Sequence, residues 1–387
     1  MHEKSSLRDL KILVFQKSGF IGGAEKNLQR WVKYFNKKYN ILVTICGPGK
    51  GTFFEEMALS GHEISIFDLP DWRKGKNYLK RYIVRSKILT FFKDKNSVDL
   101  IFSNDFFYAP YAVYLGKKLN IPVIVHIQSD LEPKRIYQYS LNHADGVIIT
   151  TRSTYRKISP FFKPNVLQFI PYGVESPSKP ISSESRFYFN QEKNLIFGVA
   201  ANLLPHKGLD FIFELALCLK TIPGWEIHWV GGDSQNLLEK LRLRVKNLGL
   251  ESKLIFHGFN ENMDSFYKSI DCLIHPAQYE PFGIVLIEAM SHGIPIISTK
   301  TNGGIEILSD IDDGNWLVEL NGVTQMAKKI EKLLNMRNEL GLIGKKFEEK
   351  FKKEYLFSNS MNKMENFFSD VLFHFKNLRS RQERKVH

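Results

Sequence analysis

At 387 residues the chain exceeds the size at which one hydrophobic core usually keeps growing, so two domains are the first expectation. With 43% hydrophobic and 25% charged residues the composition is globular and excludes a disordered chain. The net charge of +13 divides into +12 over residues 1–185, −4 over 186–344 and +5 over 345–387, so the basic bias belongs to the first half and the tail.

The opening Met1-His2-Glu3-Lys4 is polar and lacks the apolar region of a secretory signal. No stretch approaches the roughly 20 apolar residues that a membrane span requires. Cys46, Cys218 and Cys272 are scattered and without metal-ligand spacing, so neither a disulfide framework nor a zinc site is indicated. A cytoplasmic protein, soluble or peripheral on the inner face of the plasma membrane, is the expectation. Short apolar runs then alternate with helical patterns, the mark of parallel sheets with helical crossovers. Strands are predicted at Ile12–Phe15, Ile41–Cys46, Ile64–Phe67, Leu100–Ser103, Val123–Ile127 and Val147–Thr150, with helices such as Glu25–Phe35 and Phe107–Leu119 between them.

Between residues 72 and 95, Arg73, Lys74, Lys76, Lys80, Arg81, Arg85, Lys87, Lys93 and Lys95 interleave with Trp72, Tyr78, Leu79, Tyr82, Ile83, Ile88, Leu89, Phe91 and Phe92. This reads as a basic amphipathic helix, one that rests on an anionic leaflet or packs its apolar side on its own domain. The same charge would attract nucleic acid, but no nucleic-acid-binding motif accompanies it, and no nucleic-acid partner is expected. After Pro171-Tyr172-Gly173-Val174-Glu175, a polar stretch with Ser176, Pro177, Ser178, Pro180, Ser182 and Ser183 reads as an interdomain linker. The pattern then resumes, with strands at Leu195–Ala200, Glu226–Val230, Leu254–His257, Cys272–His275 and Ile294–Ser298, and a helical tail from about Leu340 to Phe375. The resulting division is 1–180, 186–350 and 351–387.

The segment Glu280-Pro281-Phe282-Gly283-Ile284-Val285-Leu286-Ile287-Glu288 places two carboxylates, with seven residues between them, across a helix start. Proline suits the first helical position, so Glu280 is expected on the loop and Glu288 about two turns in. Gly283 leaves backbone amides approachable, and a helix N-terminus suits a phosphate. Paired carboxylates accept hydrogen bonds from paired hydroxyls, which sugars and riboses supply. Ser18-Gly19-Phe20-Ile21-Gly22-Gly23-Ala24-Glu25 offers glycine amides before a helix in the first half. It does not meet the G-x-G-x-x-G pattern, which disfavours a nicotinamide enzyme.

Together these stretches resemble the retaining GT-B glycosyltransferases of family 4, the glycogen-synthase-like group with a Glu-x7-Glu signature. The resemblance implies two doubly wound Rossmann-like domains facing across a cleft, an acceptor-side and a donor-side one, with the C-terminal helix crossing back to the first. Ala201-Asn202-Leu203-Leu204-Pro205-His206-Lys207-Gly208 is similar to the family's Arg-x4-Lys phosphate clamp, with Lys207 on the lysine and Asn202 in place of the arginine. A neutral amide donates to phosphate but adds no fixed charge for the leaving diphosphate. His126, after Ile121-Pro122-Val123-Ile124-Val125, is similar in position to the family histidine beside the transferred sugar, and is expected at the carboxyl edge of its strand; Ile127 and Gln128 follow where many relatives have aspartate. By the resemblance Glu288 binds ribose hydroxyls and Glu280 the donor sugar. Lys207, the Gly22 and Gly23 amides and the Phe282, Gly283 and Ile284 segment hold the diphosphate, and Glu280, His126 and Lys207 carry catalysis. Gly303-Gly304-Ile305-Glu306 is similar to the family's final glycine loop, while Gly231-Gly232-Asp233 and His257-Gly258-Phe259 would border the nucleotide. Asp310-Ile311-Asp312 spells the Asp-x-Asp of metal-dependent enzymes but reads as a polar turn.

The expected activity is therefore metal-independent, retaining transfer of a sugar from a UDP- or GDP-linked donor to a hydroxyl acceptor, a glycolipid or other lipid-linked saccharide, with no cofactor. A catalytically impaired GT-B scaffold or sugar-nucleotide-binding protein is the alternative, resting on Asn202.

Overall fold

The computed structural model describes residues 4–72, 77–94, 98–177 and 193–386, which fall into two compact units. The first comprises residues up to Tyr172 together with those from Ser360 onward; the second runs from Gly173 to Asn359. The tail helix Phe357–Val386 thus starts in the second unit and belongs to the first from Ser360 on. The proposed linker residues Ser178, Pro180, Ser182 and Ser183 lie outside the described residues.

In the first unit, β1 (Lys11–Phe15), β2 (Leu42–Gly47), β3 (Glu63–Ile66), β4 (Leu100–Ser103), β5 (Val123–Ile127), β6 (Gly146–Ile149) and β7 (Leu167–Phe169) form a parallel sheet of order β3-β2-β1-β4-β5-β6-β7. Most of these strands are buried on both faces, which explains their unbroken apolar runs. On one face lies the helix Gly23–Tyr39, whose Leu28, Trp31, Val32, Phe35 and Tyr39 recur at helical spacing and are buried. Trp31 meets Phe102 of β4 with ring centroids 5.0 Å apart and Phe368 of the tail helix at 6.0 Å. A side chain at Gly146 of β6 would collide with Phe367 and Val371, so the tail helix needs glycine there to reach the sheet. Glu365 on the same helix is fully buried, accepts from Tyr34 Oη at 2.7 Å and pairs with Lys38. Aromatic packing and this charged anchor fix the tail to the first sheet.

The basic segment becomes the helix Tyr78–Asp94, but its charges are not gathered on an outer face. Arg81 is buried, stacked 5.1 Å from the Trp72 ring and donating to the Asp71 carbonyl at 2.9 Å; Arg85 lies 3.8 Å over Tyr114. Tyr78, Leu79, Tyr82 and Ile83 point outward instead, among the exposed Lys80, Lys87 and Lys93. The arginines turn inward because their planar heads stack on aromatic faces that the lysine ammonium suits less well. Arg73, Lys74, Lys76 and Lys95 lie outside the described residues.

The second unit repeats the architecture with β8 (Leu195–Ala200), β9 (Trp225–Val230), β10 (Leu254–Gly258), β11 (Cys272–His275), β12 (Ile296–Thr299) and β13 (Leu317–Val318), parallel and ordered β10-β9-β8-β11-β12-β13. The short edge strands β7 and β13 carry too few residues to stand out as periodic runs. In both sheets the strand order reverses direction beside the first strand, between β1 and β4 and between β8 and β11. In doubly wound sheets ligands bind at the carboxyl ends of the strands flanking that reversal.

Candidate active site

In the second unit the chain leaves β8 through Asn202–Gly208 and leaves β11 through Pro276–Gly283, so the two loops emerge side by side at the reversal point. Gly208 has φ +92°, and a Cβ there would lie 2.3 Å from the Pro276 carbonyl oxygen, so only glycine lets the loops touch. The Gln278 N–H donates to the His206 carbonyl at 2.9 Å and ties them further. Lys207 Nζ consequently sits 2.8 Å from Glu280 Oε2, with the side chains 19% and 15% exposed. Burial is the largest single influence and would raise the Glu280 carboxyl, but the Lys207 charge, His275 and hydrogen bonds from Lys207 and the Phe282 N–H together outweigh it and hold the group below the ordinary glutamate range. His275, the last residue of β11, is buried with Nε2 lacking a hydrogen-bond partner, 3.7 Å from the same carboxylate oxygen. Burial pushes its pKa down to about 4, with Glu280 pulling the other way and Lys207 adding to the fall.

The acidic helix begins later than the proline suggested. It spans Ile284–Ser291 and is capped by Gly283 at φ +91°, so Pro281 precedes the cap instead of occupying the first helical position. The left-handed cap, which a β-carbon would strain, displaced the proline rule. Glu288 is therefore the fifth helical residue, little more than one turn in. The hydroxyl of Tyr267 donates to Glu288 Oε2 at 3.0 Å; the Tyr267 ring packs 5.1 Å from His292, whose Nε2 is 2.9 Å from Asp264. Phe282 is 2% exposed and packs on Tyr355, so its side chain roots the loop in the core and leaves only backbone to face a ligand. Ile284 is half-buried. The Gly303 N–H donates to the Glu280 carbonyl at 2.9 Å, so this amide of the final glycine loop braces the acidic loop. Asn202 is exposed on the same reversal-point loop, where its Oδ1 accepts from the Gly232 N–H at 3.1 Å. Asp310 and Asp312 are engaged by Lys350 and Lys346, and Asp312 also accepts from Trp316, as befits a structural turn.

In the first unit the carboxyl ends of β1, β4 and β5 carry an amide chain that sequence reading missed. Tyr172 Oη donates to Gln128 Oε1 at 2.5 Å, Gln128 Nε2 to Asn104 Oδ1 at 2.7 Å, Asn104 Nδ2 to Gln16 Oε1 at 2.8 Å, and Gln16 Nε2 to Glu25 Oε1 at 3.0 Å. Glu25 in turn accepts from the Gly22 N–H at 3.0 Å, so this amide, expected to meet a diphosphate, already holds a carboxylate; Gly23 opens the helix. Asp105, just past β4, is pushed up to about 6 by burial, against the pull of the Tyr108 N–H and Lys17. His126 is not at the strand's open edge. It is 2% exposed, both ring nitrogens are without partners, and it packs between Phe102 and Tyr172 at 6.1 and 5.8 Å. The alternation of β5 explains this, because Val125 and Ile127 take the opposite face. Residues just past the ends of adjacent strands were the available signal, but recognising them requires the strand order.

Two family models match the chain: Glycosyltransferase Family 4 over residues 21–176 and Glycosyl transferases group 1 over residues 181–354. The structure of Anabaena HepE in complex with UDP and glucose superposes with a TM-score of 0.73 over 93% of this chain and 99% of that one, at 19% identity. Among curated proteins, an uncharacterized glycosyltransferase of Haemophilus influenzae is 28% identical over 35% of this chain and 38% of its own length. The lipopolysaccharide glucosyltransferase of Escherichia coli is 26% identical over 44% of this chain and 48% of its own. The chain thus spans under half the length of these two curated relatives. With both family models matched and two Rossmann-like sheets built as described, the chain belongs to the glycosyltransferases of GT-B fold.

Proposed function

We propose that this chain transfers a sugar, with retention of anomeric configuration, from a nucleoside-diphosphate donor to a hydroxyl acceptor. The observation that carries the reading is the meeting of Lys207 and Glu280 at the reversal point of the second sheet, with Glu288 just over one turn along the following helix. Lys207 would hold the donor diphosphate, together with the backbone amides at Phe282, Gly283 and Ile284 and the Asn202 carboxamide. Glu288, steadied by Tyr267, would take the ribose hydroxyls and Glu280 those of the sugar. The barrier would fall chiefly through positioning and stabilisation of the departing diphosphate, whose own oxygen receives the acceptor's proton. No divalent ion or other cofactor is required in this scheme, so activity should survive EDTA. Gly22 and Gly23 would act through the helix start they form with Glu25. His126 would act through Tyr172 and the amide chain beneath it, a supporting role and not a direct contact.

The acceptor proposed is a lipid-linked or surface-polysaccharide precursor at the cytoplasmic leaflet. Support comes from the positive first half and tail, the outward Tyr78, Leu79, Tyr82 and Ile83 among lysines, and the lipopolysaccharide role in the name of the Escherichia coli relative. The second reading, a protein that binds sugar nucleotide without turnover, draws on Asn202, which lacks the fixed cation. Thermal shift against UDP, GDP and ADP separates these readings from a failure of the site: stabilisation by one of them supports a donor site. Loss of transfer in Glu280→Ala and Glu288→Ala, with the fold intact, then supports the enzyme. Product anomeric configuration by NMR decides retention.

A further inference from the structure

Lys207 cannot serve the donor diphosphate and remain fully paired with Glu280, and the structure holds a buried group that can replace it. We propose that His275 is a positioning residue: when a donor diphosphate draws Lys207 away, the His275 ring takes a proton from solvent and becomes the cationic partner of Glu280. This rests on the donor site proposed above and adds a proton to the binding reaction.

A buried ring nitrogen without a hydrogen-bond partner has given up its water and gained nothing in return. His275 Nε2 is such an atom, and the carboxylate oxygen 3.7 Å away is just beyond hydrogen-bond reach. The charged and titratable groups shown acting on it come from two loops: Lys207, with His206 beside it, from the loop after β8, and Glu280 from the loop after β11. The neighbouring strand β12 contributes Ser298 opposite His275 in the register and Thr299, whose hydroxyl donates to the His275 carbonyl at 3.2 Å, so this strand brings no charge to the ring. With Lys207 at Glu280, the lysine charge and burial both oppose protonation and the ring is neutral at neutral pH. Once Lys207 turns to the diphosphate, its charge is compensated there, and Glu280, left with the Phe282 N–H but without its cation, is the charged group that draws a proton onto the ring against burial. A charged ring then satisfies both the buried nitrogen and the buried carboxylate, and keeps Glu280 ionised and oriented for the sugar hydroxyls. The balance is one proton from solvent to the imidazole, with no bond to the substrate formed or broken.

The test is titration calorimetry of the full chain with UDP-glucose, GDP-glucose and ADP-glucose, in buffers of low and high ionisation enthalpy at one near-neutral pH. These donors are esterified at both ends of the diphosphate, so the ligand has no phosphate proton to exchange there. The expected result is proton uptake approaching one per bound donor in the wild type, and its loss in His275→Gln, whose amide offers Glu280 a neutral donor that takes up no proton. The ring nitrogens of His275, read by NMR, should show a neutral ring in the free wild type and a protonated one in free Lys207→Met. Donor binding without proton uptake, or a neutral His275 in Lys207→Met, overturns the proposal and leaves the donor site standing. If none of the three donors binds, the donor reading falls, and the Lys207→Met spectrum still decides the proton step.

Discussion

Replacing Glu280 by Gln should tighten the binding of a nucleoside diphosphate while abolishing sugar transfer. In the free protein Lys207 Nζ is 2.8 Å from Glu280 Oε2, and a diphosphate must compete with that carboxylate for the lysine. Unit charges about 4 Å apart near a protein surface attract by about 4 kcal/mol before solvation is counted. With both side chains 15–19% exposed, much of this is offset by resolvation and re-pairing, and the net competition is on the order of 1 kcal/mol. Since about 1.4 kcal/mol is tenfold in affinity, Glu280→Gln should lower the Kd of the diphosphate ~5-fold. The assay is calorimetric titration of wild type and Glu280→Gln with UDP, GDP and ADP, which lack the sugar that Glu280 would contact, with circular dichroism as the check on folding. Affinity that is unchanged or weaker in a folded variant would refute the competition, because Lys207 would then not be the group that holds the phosphates.

Three further outcomes are expected. His126 is held near a pKa of about 3 by burial against an ordinary value of 6.5, so the unfolded chain binds a proton that the native ring refuses, and stability present above pH 6.5 is lost as pH falls toward 3. His126→Phe should flatten that acid limb by about 1.4 kcal/mol per pH unit in urea unfolding measured across it, and an unchanged slope would count against a neutral buried ring. Glu365→Ala removes hydrogen bonds from Tyr34 and the partly exposed Lys38, worth about 2–3 kcal/mol together, and should lower the unfolding temperature by several degrees in calorimetry; no shift would mean that the aromatic packing alone anchors the tail helix. Vesicle flotation should find the protein on anionic liposomes at low salt and less so for Tyr82→Ser/Ile83→Ser, with equal partition of both proteins telling against the exposed face of the helix Tyr78–Asp94.

Much of the fold was legible because doubly wound sheets bury both faces: the runs Ile12–Phe15, Leu100–Ser103 and Leu195–Ala200 stand out without any alternation. The edge strands β7 and β13 did not, since two or three residues carry no period. The acidic motif was visible as two carboxylates with seven residues between them, but its helix start was misplaced because Gly283 adopts a left-handed cap that the preceding proline does not announce. Lys207 and Glu280 are separated by 73 positions, and what brings them together is the strand order plus the close approach at Gly208, neither of which composition or spacing reveals. His275 and the Gln16, Asn104 and Gln128 chain were missed for the same reason. His126 was placed at an open edge because a strand's end is visible in sequence while the face its last residues take is not.

The most direct test of the donor site is a crystal structure of the protein soaked with the nucleotide sugar it binds most tightly. The account predicts Lys207 Nζ within hydrogen-bond distance of the diphosphate, the ribose hydroxyls on Glu288 and the sugar hydroxyls on Glu280. A bound nucleotide sugar that leaves the Lys207–Glu280 pair intact, or that lies away from Glu288, contradicts it.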